Sequence, residues 1–308
     1  MNPLGFVLLT HNQPQQMLRL VRRLNAIYGE PPIVIHHDFG KCDLDTASFP
    51  GDVRFVRPHV PTEWGRFSLV EATLAGIRLL HKQSDAPEWF TLLSGADYPC
   101  APASAVLADL ERANADAFLQ HHPVEPADPF CRKEPARLNR YLHYPFNVYY
   151  INPRLRFSWR PVRLPRWLSR PLLPFSRTFR CWAGWQWFTV NRKTVAAILD
   201  FHDNRPALAR HYRKVWCADE SYFHCILCND PTLRIVNDNK RYTEWSLGDP
   251  HPKALGLADV PAILASGCWF ARKFEPDSEA LDGLDASLRA GSVSDGCGPS
   301  LTLPAHGA

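Results

Sequence analysis

Gly5-Phe6-Val7-Leu8-Leu9-Thr10-His11-Asn12-Gln13-Pro14 decides the fold of this 308-residue chain. Gly5 to Thr10 is a short, continuously apolar run, as a strand covered on both faces of a parallel sheet requires. His11 to Pro14 break it. Beyond the break, Met17, Leu20, Val21, Leu24 and Ile27 recur on one helical face. Pro32-Ile33-Val34-Ile35-His36 then reads as a second buried strand. Strand, helix, parallel strand is the opening of a nucleotide-binding α/β fold.

The same alternation continues outward. Val53 to Val56 reads as a third strand. A helix is expected from Ser68 to His81, with Ser68 as N-cap and Glu71 completing a capping box. Trp89 to Leu93 is a fourth strand, and it runs into Ser94-Gly95-Ala96-Asp97-Tyr98-Pro99 at the carboxyl edge of the sheet, where open α/β folds bind ligands. Gly184 to Val190 reads as a strand, followed by helices over Lys193–Phe201 and Ala218–Cys228. The expected organisation is one domain over 1–277, with a nucleotide-binding half to about residue 120 and an acceptor half over 121–277. The Gly-, Ser- and Ala-rich tail of 278–308 is expected to be disordered.

Composition narrows the class. At 45% hydrophobic residues the chain buries a full core, and a net charge of +4 selects no partner. Nine cysteines scattered through helix and strand signals argue for reduced thiols and a cytosol-like compartment rather than a disulfide scaffold. Cys225 and Cys228 form a lone CxxC without the second pair a structural zinc site needs. The start lacks a basic n-region and a long apolar h-region, so no signal peptide is expected, and no apolar run approaches the ~20 residues of a membrane span. The expectation is a cytoplasmic protein, attached to membrane at most peripherally.

Charge is unevenly spread. From Tyr141 to Arg180 there is no acidic residue, and arginines recur at 154, 156, 160, 163, 166, 170, 177 and 180 among Phe157, Trp159, Trp167 and Phe175. Either this is a solvated basic loop, or segment 152–180 is a surface for an anionic glycan, a lipid-linked acceptor or membrane headgroups. No nucleic-acid-binding motif accompanies it.

Four blocks carry a resemblance: Trp64-Gly65-Arg66-Phe67-Ser68-Leu69, Leu93-Ser94-Gly95-Ala96-Asp97-Tyr98-Pro99, Ala218-Asp219-Glu220-Ser221-Tyr222-Phe223-His224 and Phe270-Ala271-Arg272-Lys273-Phe274. Together, and in this order, they resemble glycosyltransferase family 14, the core-2/I-branching β-1,6-N-acetylglucosaminyltransferases and protein O-xylosyltransferases. The resemblance covers about residues 4 to 275. It implies a GT-A-like fold with a Rossmann-like nucleotide-binding half, and metal-independent, inverting transfer of a sugar from a UDP donor to a hydroxyl of a glycan or glycolipid.

Such a displacement needs a carboxylate to take the acceptor proton and positive charge to stabilise the departing diphosphate. Glu220 matches the family's base; the alternative is a carboxylate that merely complements a helix start, which is the reading given to Asp219. Arg272 and Lys273, among Trp269, Phe270 and Phe274, are the candidate diphosphate clamp, with Lys253 second. Thr10, His11 and Asp38 follow strands one and two, where the family places nucleoside contacts. Trp64, Asp97, Arg241 and Trp245 complete the candidate donor pocket.

No metal and no other cofactor is expected. His36-His37-Asp38 looks like a ligand cluster, but neighbours on a strand point to opposite faces. Asp43-Leu44-Asp45 reads Asp-x-Asp but falls in a turn after the second strand, not after the fourth. The third and fourth blocks sit nearer the xylosyltransferase branch. That branch has an acid where this chain has Gln186, which cannot act as a base. N-acetylglucosamine is therefore the expected donor sugar, with xylose the alternative. A glycan- or nucleotide-binding protein without turnover would tolerate loss of Glu220. A glycoside hydrolase needs two carboxylates flanking the bond, whereas Asp219 and Glu220 diverge. No Gly-x-Gly-x-x-Gly supports a dinucleotide oxidoreductase.

Overall fold

A computed structural model describes residues 3–143, 145–151, 157–164, 166–245 and 251–294. Twelve strands are described: β1 Leu4–Thr10, β2 Ile33–His37, β3 Arg54–Phe55, β4 Trp89–Ser94, β5 Tyr98–Pro99, β6 Ala117–Pro123, β7 Pro145–Ile151, β8 Phe157–Arg163, β9 Trp182–Asn191, β10 Ile235–Val236, β11 Arg241–Thr243 and β12 Phe270–Arg272. Seven form a mixed sheet in the order β10-β6-β9-β4-β1-β2-β3. The half built from β4, β1, β2 and β3 is parallel throughout, and β9 enters antiparallel between β4 and β6. The α/β class and the Rossmann-like half read from the sequence are those of the chain.

The continuous apolar reading of β1 has its cause in burial: Leu4, Phe6, Val7 and Leu8 are wholly shielded between β4 and β2. Helix α1, Pro14–Tyr28, opens with proline at its start and closes on Gly29 at φ 68°, a left-handed conformation glycine adopts without penalty. Helix α2, Phe67–His81, buries Phe67, Val70, Leu74, Ile77 and Leu80. Each such side chain contributes roughly 1.5–3 kcal/mol on leaving water. The capping box expected at Ser68 is absent. Arg66 holds the cap position, and the Ser68 hydroxyl accepts from the Glu63 N–H at 2.9 Å, tying the preceding loop down instead.

One glycine is set by close approach. A Cβ on Gly184 would lie 1.9 Å from the Gln120 carbonyl oxygen, where the β6–β9 register shifts.

The chain divides into two compact units, residues 1–95 with 113–239, and residues 96–112 with 240–308. This replaces the expected division near 120. The chain leaves the first unit after β4, gives β5 and the helix Ala103–Arg112 to the second, and then returns. The second unit has its own sheet, β11-β12-β5. It also holds a helix over Glu279–Ser294, where a disordered tail was expected. Ala280, Leu281, Leu284 and Leu288 are buried there, and Tyr98 donates its hydroxyl to Asp285 at 2.9 Å. The small-residue composition hid a stripe of leucines at helical spacing. Residues 295–308 lie outside the described residues.

The basic stretch is not one loop. Its described part contains the antiparallel hairpin β7–β8 and short helical turns over Arg166–Ser169 and Arg170–Leu172. Arg154 and Arg156 lie outside the described residues. Among the described residues no helix is long and apolar enough to cross a membrane.

Candidate active site

In the first unit, one loop ties two groups of expected site residues together. At the carboxyl ends of β1 and β2, the Asp38 N–H donates to the Thr10 carbonyl at 2.9 Å. The Asp38 carboxylate is almost fully buried. It accepts from the Thr62 N–H and hydroxyl, both at 2.7 Å, and from the Gly40 N–H at 3.2 Å. Burial pushes this carboxyl up, but the Thr62 and Gly40 donors and the nearby Lys41 outweigh it and hold it below its ordinary range. Asp38 is thus engaged in anchoring the loop that carries Thr62. Thr10 is buried with its hydroxyl 2.9 Å from His37 Nδ1, whereas His11 is exposed.

The three successive residues that look like a metal cluster are used separately. His36 Nε2 accepts from the Val60 N–H at 3.0 Å, and His37 Nε2 lies 2.7 Å from the Cys42 carbonyl. Asp45 caps a turn through the Ala47 N–H at 3.0 Å, consistent with a structural Asp-x-Asp.

Two residues beyond Thr62, the loop reaches Trp64 and Gly65. Gly65 has φ +70°, and a Cβ there would strike the Trp216 indole at 2.9 Å. Its carbonyl accepts from the Cys217 N–H at 2.7 Å, and the Trp64 ring meets Trp216 edge-on at 5.0 Å. Cys217 itself is left-handed, at φ 54°, a conformation uncommon outside glycine that concentrates at functional sites.

Glu220 follows immediately. The helix expected over Ala218–Cys228 is interrupted: Ala218–Glu220 is a 3₁₀ turn and Tyr222–Leu227 a separate short helix. Ser221 makes the break. Its hydroxyl donates to the Trp182 carbonyl at 2.6 Å and sits 2.5 Å from the Tyr212 hydroxyl, all inside the core.

The Glu220 side chain keeps 29% exposure, and its Oε2 lies 3.7 Å from Arg140 Nη1. Arg140 is itself paired with Glu134 at 2.9 Å. Burial, then the neighbouring charge of Asp219, push the Glu220 carboxyl well above its ordinary value, with Arg140 opposing. Asp219, almost wholly buried, is also raised by burial. A solvent-reaching carboxylate with raised proton affinity suits general-base work near neutral pH.

Arg140 and Trp216 are additions that sequence reading missed. Nothing in the spacing connects Arg140 to a glutamate eighty positions on.

In the second unit, Arg272 closes β12 between β11 and β5. Its Nε lies 3.6 Å from Oδ1 of Asp97, which is fully buried. The position after β4 that would carry a metal-binding acid therefore holds a carboxylate facing an arginine. Phe274 N–H donates to the Ala96 carbonyl at 3.0 Å, which fixes the strand's continuation, and Lys273 stays partly exposed 4.0 Å from Glu275. Lys253 is held by Asp259 at 2.8 Å and Glu244 at 3.4 Å. Arg241 is buried with its guanidinium 4.7 Å from the Phe270 ring centre, and Trp245 is exposed. Within this unit the structure pairs Asp97 with Arg272 and gives Lys273 and Lys253 carboxylate partners of their own.

A model of the Core-2/I-Branching enzyme family matches residues 4–264. The chain belongs to that family. Among curated relatives, a β-glucuronosyltransferase of Arabidopsis thaliana, GlcAT14A, is 26% identical over 226 residues, covering 72% of this chain and 47% of that protein. Xylosyltransferase 1 of Canis lupus familiaris is 27% identical over 253 residues, covering 79% of this chain and 24% of that protein. The chain thus spans about half the length of the first and a quarter of the second. Among solved structures, an apo WbbM bifunctional glycosyltransferase superposes with a TM-score of 0.39 at 10% identity, covering 91% of this chain and 48% of that one. That likeness is too loose to bear on function. In this family member, the four sequence blocks supply Trp64, Asp97, Glu220 and Arg272 at the positions described.

Proposed function

We propose that the protein transfers a sugar from a UDP donor to a hydroxyl of a glycan or glycolipid acceptor, inverting the anomeric centre without a metal. The observation that carries this reading is Glu220: a carboxylate of raised proton affinity that still reaches solvent, on a turn held by Ser221 and Cys217. In this reading Glu220 takes the proton of the acceptor hydroxyl as its oxygen attacks the anomeric carbon. The bond to the diphosphate breaks on the opposite side. Arg272 and Lys273 neutralise the charge growing on the leaving group, with Lys253 in support.

Thr10, His11 and Asp38 serve the nucleoside, and Trp64, Asp97, Arg241 and Trp245 the donor sugar. Asp38 acts chiefly by positioning, since its lone pairs are engaged with Thr62 and Gly40. The sugar expected from the sequence is N-acetylglucosamine. Xylose and glucuronic acid stand beside it, because the similar proteins are named for those groups. The 152–180 segment serves either acceptor choice or peripheral membrane contact.

The test is consumption of a panel of UDP-sugars in EDTA by wild type and by Glu220→Gln. One sugar should be turned over in EDTA, and the variant should bind it without turning it over. Dependence on a divalent metal, or an active variant, overturns the mechanism and makes Asp97 the residue to examine. A binding protein without turnover would bind a UDP-sugar equally well in both forms and consume it in neither.

A further inference from the structure

The described part of the basic stretch carries an exposed apolar surface set among arginines. Ser169 is fully buried; its hydroxyl donates to the Leu164 carbonyl at 2.9 Å, and its carbonyl accepts from the Leu173 N–H at 3.1 Å. Fixing Ser169 inward turns its neighbours out. Trp167 is 74% exposed, Leu168 40% and Leu172 52%. Beside them lies a cleft of about 630 Å³ whose apolar wall includes Leu142, Trp167, Leu173 and Phe175 and whose cations are Arg170 and Arg177. Phe175 anchors the inner wall, its ring 5.4 Å from that of His211. The acid on the rim, Glu125, is paired with Arg180 at 2.8 Å.

Clustered large apolar side chains left in water mark a surface that is covered in use. The charge around them indicates by what. No acid occurs from Tyr141 to Arg180, so the patch is presented in a positive field. Tryptophan favours the headgroup level of a bilayer, leucine enters the acyl boundary, and arginine pairs with lipid phosphates. A glycan would gain from the Trp167 face but nothing from the aliphatic surfaces of Leu168 and Leu172, which offer no hydrogen bond.

We propose that this surface docks the protein on a bilayer containing anionic phospholipid, with Trp167, Leu168 and Leu172 entering the headgroup region and Arg170 and Arg177 meeting lipid phosphates. The proposal gives a site and a lipid class to the peripheral contact of the preceding reading, and it does not require that the chain transfer sugar.

The test is sedimentation of the full chain with vesicles of phosphatidylcholine alone or mixed with phosphatidylglycerol, at low and high salt. Wild type should partition to the anionic vesicles and lose binding as salt rises. Trp167→Ser with Leu172→Ser, and separately Arg170→Glu with Arg177→Glu, should each lower partitioning on the order of ten-fold. All changes are at exposed positions, and unchanged thermal melting verifies the fold.

Equal binding to neutral and anionic vesicles, or wild-type binding by both double variants, overturns the proposal. So does a raised KM for a soluble glycan acceptor with vesicle binding intact, which would make the cleft an acceptor site. UDP-sugar hydrolysis in solution, run alongside, should be unchanged in the variants. Its absence from wild type would count against the transfer reading alone.

Discussion

Asp38 and Glu220 are shielded carboxylates of one unit, tied to a single loop through Thr62 and Gly65, and their surroundings tune them in opposite directions. At Asp38, burial works against the charge, but two donors from Thr62 and one from Gly40 more than compensate. At Glu220, burial and Asp219 both work against the charge, and the opposing Arg140 stands 3.7 Å away and is shared with Glu134. Burial acts on both groups, so it does not separate structure from chemistry. The number of donors aimed at the oxygens does. The carboxylate with its lone pairs engaged holds a loop, and the other is left to bind a proton from outside.

The largest effect that would break this comparison is on rate. Glu220→Gln should lower kcat on the order of 10³-fold, within the range for loss of a general base, with donor affinity retained in titration calorimetry. Asp38→Asn should instead cost about 2 kcal/mol of stability, because an amide leaves a donor against the Thr62 and Gly40 N–H groups, read from urea unfolding. A variant pair with these phenotypes exchanged would invalidate the assignment of roles.

The pH dependence of stability carries the same contrast. Asp38 has a lowered carboxyl in the folded state. Its contribution is complete above the ordinary carboxylate value and is lost as pH falls below it. Asp219 and Glu220 are raised on folding. The folded state then holds protons the unfolded chain has released, and stability falls as pH rises through the range between the two values. Glu220→Gln should flatten that decline, whereas Asp38→Asn should leave it in place, as urea midpoints across pH will show.

What the sequence made legible follows from where the information sits. β1, β2, α1 and α2 were readable because each fills its own burial pattern: unbroken for the strands, one-sided for the helices. Glu220, Arg272 and Asp97 were named from motif blocks. The interruption at Ser221 was not readable, since it depends on a hydroxyl reaching the Trp182 carbonyl from 39 positions away. The sheet β11-β12-β5 escaped for another reason. Its strands are two or three residues long, too short to show a period, and β12 pairs with β5 across more than 170 positions of chain. Arg140 reaches Glu220 only through the tertiary fold.

The smallest expected effect is also the most specific. If Glu220 is the base, activity should rise with pH as it loses its proton, and the two charges beside it should move that limb in opposite directions. Asp219→Asn removes a like charge, so Glu220 should release its proton more readily and the limb of kcat/KM should shift to lower pH. Arg140→Gln removes the opposing cation and should shift the limb to higher pH. This second displacement should be the smaller, because Arg140 is also engaged by Glu134 at 2.9 Å and gives only part of its field to Glu220. A variant that merely loosened the turn would lower the rate at every pH and leave the limb in place. Limbs that move the same way in both variants, or in neither, would mean that the titrating group is not flanked by Asp219 and Arg140, and Glu220 would lose its claim to be the base.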